Sequence, residues 1–276
     1  MKLKEALGTV RDRLTSAGIE EAGLESELLL QYLLCLDPVR LFLEHEEELT
    51  ATQAKLLEDL VERRITGEPL AYITGKREFY RREFHVNPHV LIPRPETEHL
   101  VEKAIEIAAK IPSPVIADIG TGSGAIAVSL AAEVPESRVF AIDISDAALD
   151  TARLNARRHG VESRITFLYG DLAGPLPEPV DMLIANLPYV NSSECAASPE
   201  PHLALDGGVE GLDVIERLSN TLQGKLRPGG WVLLEIGQGQ QDSVQRLVRE
   251  ALPGSLVGTL KDLAGIERVV WAQTKS

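Results

Sequence analysis

Cysteine is scarce in this 276-residue chain, with Cys35 and Cys195 the only two. They stand far apart and form no metal-ligand spacing, so both are read as free thiols in a reducing compartment rather than as part of a disulfide framework. Long apolar runs are missing too. No stretch reaches the roughly 18 residues that a membrane-spanning helix needs, and the first residues lack the apolar region of a secretory signal. A cytoplasmic protein without a membrane partner is therefore expected. Positive charge is also in short supply: Lys and Arg number 28 against 42 Asp and Glu, for a net charge of −14. That balance, with no Lys/Arg-rich tract, argues against a broad nucleic-acid surface, because neutralising phosphates needs cations. The histidines (His45, His85, His89, His99, His159 and His202) fall at no ligand spacing, so no metal site is expected. What remains is ordinary for a globular chain, 44% hydrophobic and 25% charged, long enough for one large or two modest domains.

The first 75 residues read as a helical unit. Leu3, Leu7, Val10 and Leu14 recur at helical spacing, and Gly18 can end that helix. Leu24 to Leu36 is apolar nearly all round, which places it at the centre of a small bundle. Asp37-Pro38 reads as an N-cap followed by a first-turn proline, and Thr50 can cap a further helix carrying Leu57, Leu60 and Val61. The acidic run Glu44 to Glu48 reads as a solvated face. From Gly67 the texture changes: Ala71 to Ile73, Glu78 to Tyr80 and Glu83 to Val86 look extended, with Arg81-Arg82 as a hairpin tip. Arg94, held extended between Pro93 and Pro95, and Glu96 then lie at the entrance to the next domain; a stiff linker explains the same residues.

The rest of the chain alternates strands and helices around one stretch. Val115 to Ile119 reads as a buried parallel strand, Gly120-Thr121-Gly122-Ser123-Gly124 as a sharp turn, and Gly124 to Ala132 as a helix. Such a strand, glycine turn and helix N-terminus build a nucleotide or cofactor crevice. The spacing also fits G-x-G-x-x-A, so the motif alone leaves a dinucleotide cofactor open. Further strands are expected at Arg138 to Ile142, Ile165 to Tyr169, Met182 to Ala185 and Trp231 to Ile236. Helices are expected from Ser145 to His159, Leu212 to Leu226 and Asp242 to Leu252, and Ser255 to Leu260 and Arg268 to Ala272 close the chain as an antiparallel pair. The pattern predicts an α/β domain with a mostly parallel sheet whose ligands bind beyond the strands' carboxyl ends.

The polar residues fall at those ends. Asp143, roughly 20 residues beyond the first glycine, suits a ribose diol, because a carboxylate accepts from two hydroxyls. Asp171 holds the equivalent place after the next strand and can face an adenine amino group or simply make a turn. Asp118 can hold an ammonium group or buttress the glycine turn, and as a buried acid it needs a specific partner. After the fourth strand comes Asn186-Leu187-Pro188-Tyr189. The Asn186 side-chain oxygen and the Leu187 carbonyl can accept both N–H bonds of a planar –NH2 group, with Tyr189 packing on its plane.

In this order, the glycine turn, Asp143 and Asn186 to Tyr189 resemble the class I S-adenosylmethionine-dependent methyltransferases that act on amino or amide nitrogen. The resemblance narrows with Gly67 to Gly75, Val90 to Glu98, Asp118 to Ala127, Glu200 to Gly208, Glu235-Ile236-Gly237 and Asp262 to Arg268. These segments look like the release-factor glutamine N5-methyltransferases (the PrmC/HemK family) and cover essentially the whole chain. The resemblance implies a helical bundle at 1–75 that docks the substrate, a β-hairpin linker at 76–95 and a Rossmann-like methyltransferase domain at 96–276. It implies methyl transfer to the Gly-Gly-Gln glutamine of class 1 peptide chain release factors, a protein methylation in translation termination. S-adenosyl-L-methionine is the implied cofactor and S-adenosyl-L-homocysteine the product, in a monomer that forms no stable complex with nucleic acid. Cofactor contacts are expected from Asp118, Gly120, Thr121, Gly122, Ser123, Gly124, Asp143, Asp171, Leu172 and Asn186. Substrate and catalytic contacts are expected from Asn186, Leu187, Pro188 and Tyr189, with Arg94 and Glu96 beside the substrate. Two departures stand out. The family usually has Asn-Pro-Pro-Tyr, and Asn-Leu-Pro-Tyr resembles adenine N6-dimethyltransferases of ribosomal RNA, which makes an adenine N6-methyltransferase of RNA or DNA the alternative. Leu172 stands where some relatives carry an aromatic residue.

Overall fold

The structure is a computed structural model that describes residues 1–196 and 198–275. It divides into two compact units, Met1–Lys76 and Arg77–Ser276.

The first unit holds five helices: α1 (Leu3–Ser16), α2 (Ala22–Leu34), α3 (Pro38–Leu43), α4 (Ala51–Ile65) and α5 (Leu70–Thr74). Their starts follow from local chemistry. The Asp37 side chain accepts the Arg40 N–H at 2.8 Å, and Thr50 and Gln53 cap each other reciprocally. Leu3, Val10, Leu14, Leu29, Leu30, Leu57 and Val61 fill the unit's core. Two sequence expectations need correction. Ala71 to Ile73 is helical, not extended: Pro69 precedes the first turn, and Gly75 closes it in the left-handed region at φ 69°. Also, α2 buries only one side, because Leu24, Leu28 and Tyr32 remain exposed. A helix apolar all round sits at a bundle's centre only when neighbours cover every face, and α2 lacks them on one side.

A hairpin follows, β1 (Lys76–Phe79) and β2 (Arg82–His85), and all of it but Lys76 falls in the second unit. Its tip is Tyr80-Arg81, one residue earlier than expected, with both residues at positive φ as a tight two-residue turn demands. Phe79 and Phe84 from this hairpin join the core beneath the large sheet. The Tyr80 N–H donates to Glu98, and the His85 N–H to Asn155.

After α6 (Thr97–Ala108), strands and helices alternate: β3 (Val115–Ile119), α7 (Ala125–Glu133), β4 (Arg138–Asp143), α8 (Asp146–Arg158), β5 (Ile165–Tyr169) and β6 (Val180–Ala185). Two short helices, α9 (Ser192–Cys195) and α10 (His202–Leu205), interrupt the following loop. Then come α11 (Asp213–Ser219), β7 (Leu226–Glu235), α12 (Gln241–Ala251), β8 (Leu256–Lys261) and β9 (Glu267–Gln273). The helix expected to reach Leu226 stops at Ser219, because Leu226 already pairs with Val180 in the sheet. Pro228-Gly229-Gly230 falls within β7 where its register against β6 shifts, a position that tolerates proline.

The large sheet has the order β5-β4-β3-β6-β7-β9-β8, parallel except that β9 runs against both of its neighbours. The order reverses between β3 and β6, and register aligns the strand ends there. Ile119 pairs with Ile142 on one side and Ala185 on the other, and Ala185 pairs with Leu234. The residues that follow, Gly120, Asp143, Asn186 and Glu235, therefore leave the sheet side by side.

Candidate active site at the strand ends

A cavity of about 610 Å³ opens at this switch point. Its size suits a cofactor-sized ligand, and its place is where open parallel sheets bind one.

The wall beyond β3 is built by backbone. Gly120 sits at φ +72°, and a side chain there would meet Leu187 Cδ2 at 3.1 Å. Gly124 sits at φ +80°, with Ala152 Cβ at 3.0 Å from where its own Cβ would stand. The amides of Gly120 and Thr121 both donate to the Ile142 carbonyl, at 2.8 and 2.9 Å. Asp143 locks the turn further: one oxygen accepts the Gly122 N–H and the other the Ser145 N–H, both at 2.9 Å. Burial raises the Asp143 pKa and these amides pull it back. A carboxylate has about four acceptor positions, so a ribose diol still finds two. Gly120, Thr121, Gly122, Ser123 and Asp143 all line the cavity, whereas Gly124 lies behind it.

Asp118 lies beneath this turn rather than in the cavity. It is fully buried, with one oxygen accepting from the Thr121 hydroxyl at 2.6 Å and the Ala127 N–H at 3.2 Å. Burial pushes its pKa up to about 7 against those two donors. Of the two roles open to it, buttressing the turn is the one this geometry performs. Asp171 and Leu172 line the cavity beyond β5, with Asp171 ion-paired to Arg217 and Leu172 at φ 49°.

The opposite wall follows β6 and is built by side chains. Asn186, Leu187 and Pro188 line the cavity, while Tyr189 turns inward. The Asn186 amide nitrogen donates to the Thr97 hydroxyl at 3.1 Å, and the Tyr189 hydroxyl donates to Glu235 at 3.2 Å. Glu235 is 2% exposed. Burial raises its pKa to about 7, while the Thr97 and Tyr189 hydroxyls pull it down. The Tyr189 pKa is raised by its own burial and by Glu235. Gln240 braces the turn from behind: its amide donates to the Tyr189 and Gly211 carbonyls at 3.1 Å, and its oxygen accepts the Gly237 N–H. Leu187 is 5% exposed, its side chain against Gly120.

Arg94 lines the cavity and ion-pairs with Glu200, which also accepts the Ile92 N–H at 2.9 Å. This pairing ties the proline-rich stretch to the loop after β6. Glu96 is exposed and lies outside the lining, immediately before α6. Thr97, Glu200, Glu235 and Gln240 were not among the sequence-derived site residues. Thr97, Glu200 and Glu235 fall in motif segments, but only tertiary contact shows what they touch. Among the described residues, no group of three or more His, Cys, Asp and Glu side chains is placed to hold a metal ion, and no helix is long and apolar enough to cross a membrane.

The chain matches two family models, the PrmC N-terminal domain over residues 5–75 and the methyltransferase small domain over residues 97–199. It is 42% identical over 281 residues to a protein of Koribacter versatilis named release factor glutamine methyltransferase, covering 98% of each chain. It is 44% identical over 274 residues to a Moorella thermoacetica protein of the same name, covering 97% of each. Among solved structures, it resembles the T. thermophilus 16S rRNA N2 G1207 methyltransferase in complex with AdoMet and guanosine. That match has a TM-score of 0.55 and 18% identity, over 72% of this chain and 50% of that one, and establishes the shared fold.

Proposed function

The chain belongs to the release factor glutamine methyltransferases, and from that membership we propose how its site carries the reaction. It is an enzyme that methylates a glutamine of a peptide chain release factor with S-adenosylmethionine as methyl donor. We take the target to be the side-chain nitrogen of the Gly-Gly-Gln glutamine in class 1 factors, and the enzyme to work as a cytoplasmic monomer.

The strand-end cavity fits the cofactor. Gly120 and Gly122 keep side chains out of the turn, Asp143 offers acceptors to a diol, and Asp171 and Leu172 border the place expected for the adenine. The bound cofactor supplies a methyl group made electrophilic by a sulfonium sulfur. The protein's task is to aim a poor nucleophile, because an amide lone pair is delocalised into its carbonyl. Asn186 Oδ1 and the Leu187 carbonyl accept the two N–H groups, orient the nitrogen and raise its electron density, while Tyr189 backs the turn. Orientation alone makes effective molarities of about 10⁵ M or more available, so no side chain has to remove a proton before transfer. The proton leaves the methylated nitrogen afterwards to water.

The observation that carries this reading is that Asn186, Leu187 and Pro188 line the strand-end cavity beside the glycine turn and Asp143. Nucleic acid is the poorer fit, because both arginines lining the cavity are already paired, Arg94 with Glu200 and Arg217 with Asp171. The test is incubation with labelled S-adenosylmethionine and a release factor, beside its Gln→Ala variant and bulk RNA. Label confined to the wild-type factor is expected; label on RNA overturns the reading.

We assign substrate docking to the helical unit at 1–75, hairpin linkage to 76–95 and catalysis to 96–276. Deleting residues 1 to 70 is expected to lower kcat/KM for the release factor while sparing cofactor affinity. Unchanged kcat/KM removes the docking role.

A further inference from the structure

Glu200 joins two segments that border the cavity. Pro93 and Arg94 line it from the proline-rich stretch, and Pro201 and His202 line it from the loop after β6. Glu200 is 8% exposed, and both of its oxygens are spent on the proline-rich stretch. Oε1 accepts the Ile92 N–H at 2.9 Å, and Oε2 accepts from Arg94 Nη2. The two grips fall on either side of Pro93, which has no N–H of its own. A buried carboxylate must be paired and hydrogen-bonded, and Ile92 and Arg94 together meet that need.

The pairing uses only part of Arg94. A guanidinium carries five N–H donors in a fixed fork, and Glu200 engages one nitrogen of it. No other described residue accepts from the Arg94 side chain, which is 38% exposed. Its backbone adjoins the wall that ends β6. The Arg94 carbonyl accepts the Thr97 N–H at 3.1 Å, and the Thr97 hydroxyl meets Asn186 Nδ2 at 3.1 Å.

We propose that Glu200 is a positioning residue that makes Arg94 a donor to a neutral oxygen. The Glu200 charge balances that of Arg94, and its grip fixes where the remaining N–H groups point. A charge-balanced donor suits the carbonyl oxygen of an amide and gives little to a carboxylate. With Asn186 and Leu187 accepting from the –NH2 and Arg94 donating to the C=O, the site reads both ends of a primary amide. It takes a glutamine side chain and turns away glutamate, whose second oxygen meets acceptors and whose charge finds no unpaired cation.

This inference rests on the substrate and the role of Asn186 proposed above. It is tested on the full-length enzyme by steady-state kinetics on a release factor, with competition by the factor's Gln→Glu and Gln→Ala variants. Calorimetric titration with S-adenosylmethionine runs beside it. Glu200→Gln keeps the size and an acceptor for Ile92 but removes the charge, which leaves Arg94 unbalanced. It is expected to lower kcat/KM by about 10-fold, the lower end of what a hydrogen bond to a charged group contributes. The same variant is expected to bind the Gln→Glu factor about 10-fold more tightly than wild type does, with the Gln→Ala factor unchanged. A merely structural loss would weaken both factors alike. Arg94→Lys keeps the charge that Glu200 needs and removes the fork. It is expected to lower kcat/KM by about 10-fold at unchanged cofactor affinity, and it carries the test should Glu200→Gln fail to fold. Wild-type kcat/KM in either variant overturns the proposal, as does an equal shift for the two competing factors. Weaker S-adenosylmethionine binding in Arg94→Lys overturns it too, by giving the guanidinium to the cofactor. If instead the wild-type enzyme leaves the release factor unlabelled, the reading of the reaction fails, and that outcome is separate from any behaviour of the variants.

Discussion

The two walls of the cavity are held in opposite ways. Beyond β3, the chain itself is the wall: glycines at positive φ, amides bonded to the Ile142 carbonyl and to Asp143, all within a few dozen residues. Beyond β6, side chains form the wall: Asn186 on Thr97, Tyr189 on Glu235, and Gln240 gripping the turn's carbonyls. In the function proposed above, the first wall holds the cofactor, for which a rigid backbone cradle suffices, and the second presents acceptors to one planar group, which needs side chains whose own partners fix their direction. Disturbing the first wall should therefore weaken cofactor binding, whereas disturbing the second should slow turnover at full cofactor occupancy.

The sharpest separation comes from Asn186→Ala. It is expected to lower kcat on the order of 10²-fold, by analogy with losing one preorganised polar contact, with cofactor affinity intact by calorimetry. Near-normal turnover would remove Asn186 from the reaction. Gln240→Leu comes next. It leaves part-buried carbonyls of Tyr189 and Gly211 without their side-chain donor, at about 1 kcal/mol, so a lower Tm and a slower kcat are expected together. Stability unchanged from wild type would show that the turn holds itself. Gly124→Ala probes the other wall, since a left-handed alanine costs about 1–2 kcal/mol before its contact with Ala152 is counted. Weaker cofactor binding with kcat preserved at saturation is expected; a loss confined to kcat would dissolve the contrast between the walls.

The smallest effect on turnover is expected from Asp118→Asn, which is read through pH. Burial raises the folded-state pKa of Asp118 to about 7, above its unfolded value. The native state then keeps a proton that the unfolded chain has already lost, so the wild type loses stability as pH rises from about 4 to 7 and levels off above that. Asparagine has no such proton. Relative to the variant, the wild-type Tm should therefore be higher at pH 5 than at pH 8. A difference that does not change with pH would mean that Asp118 is ionised throughout.

What the sequence made legible follows the same division. The glycine wall is local, and β3 falls at Val115–Ile119 as its apolar run indicates. The caps at Asp37 and Thr50 stand where they were read. Local patterns can also mislead: Ala71 to Ile73 carries a β-like composition, yet the proline and glycine on either side make one helical turn of it. The apolar α2 shows how many faces are greasy but not how many are covered. The second wall was legible only in part. Asn186 to Tyr189 announced itself as a rigid polar turn after a strand. Its partners Thr97 and Glu235 did not, because nothing within reach of either residue in sequence signals what it will meet. A lone threonine before Glu98 reads as a helix start, and an acid ending β7 reads as a strand terminus.

The separation of those partners also bears on how the site comes into being. The Gly122–Asp143 bond spans 21 residues, whereas Tyr189–Glu235 spans 46 and Asn186–Thr97 spans 89. A chain emerging from the ribosome, which folds from its N-terminal side, can close the first bond long before Glu235 has been synthesised. The glycine wall is thus within reach of a nascent chain that still lacks β7, while the wall beyond β6 waits for the last quarter of the polypeptide.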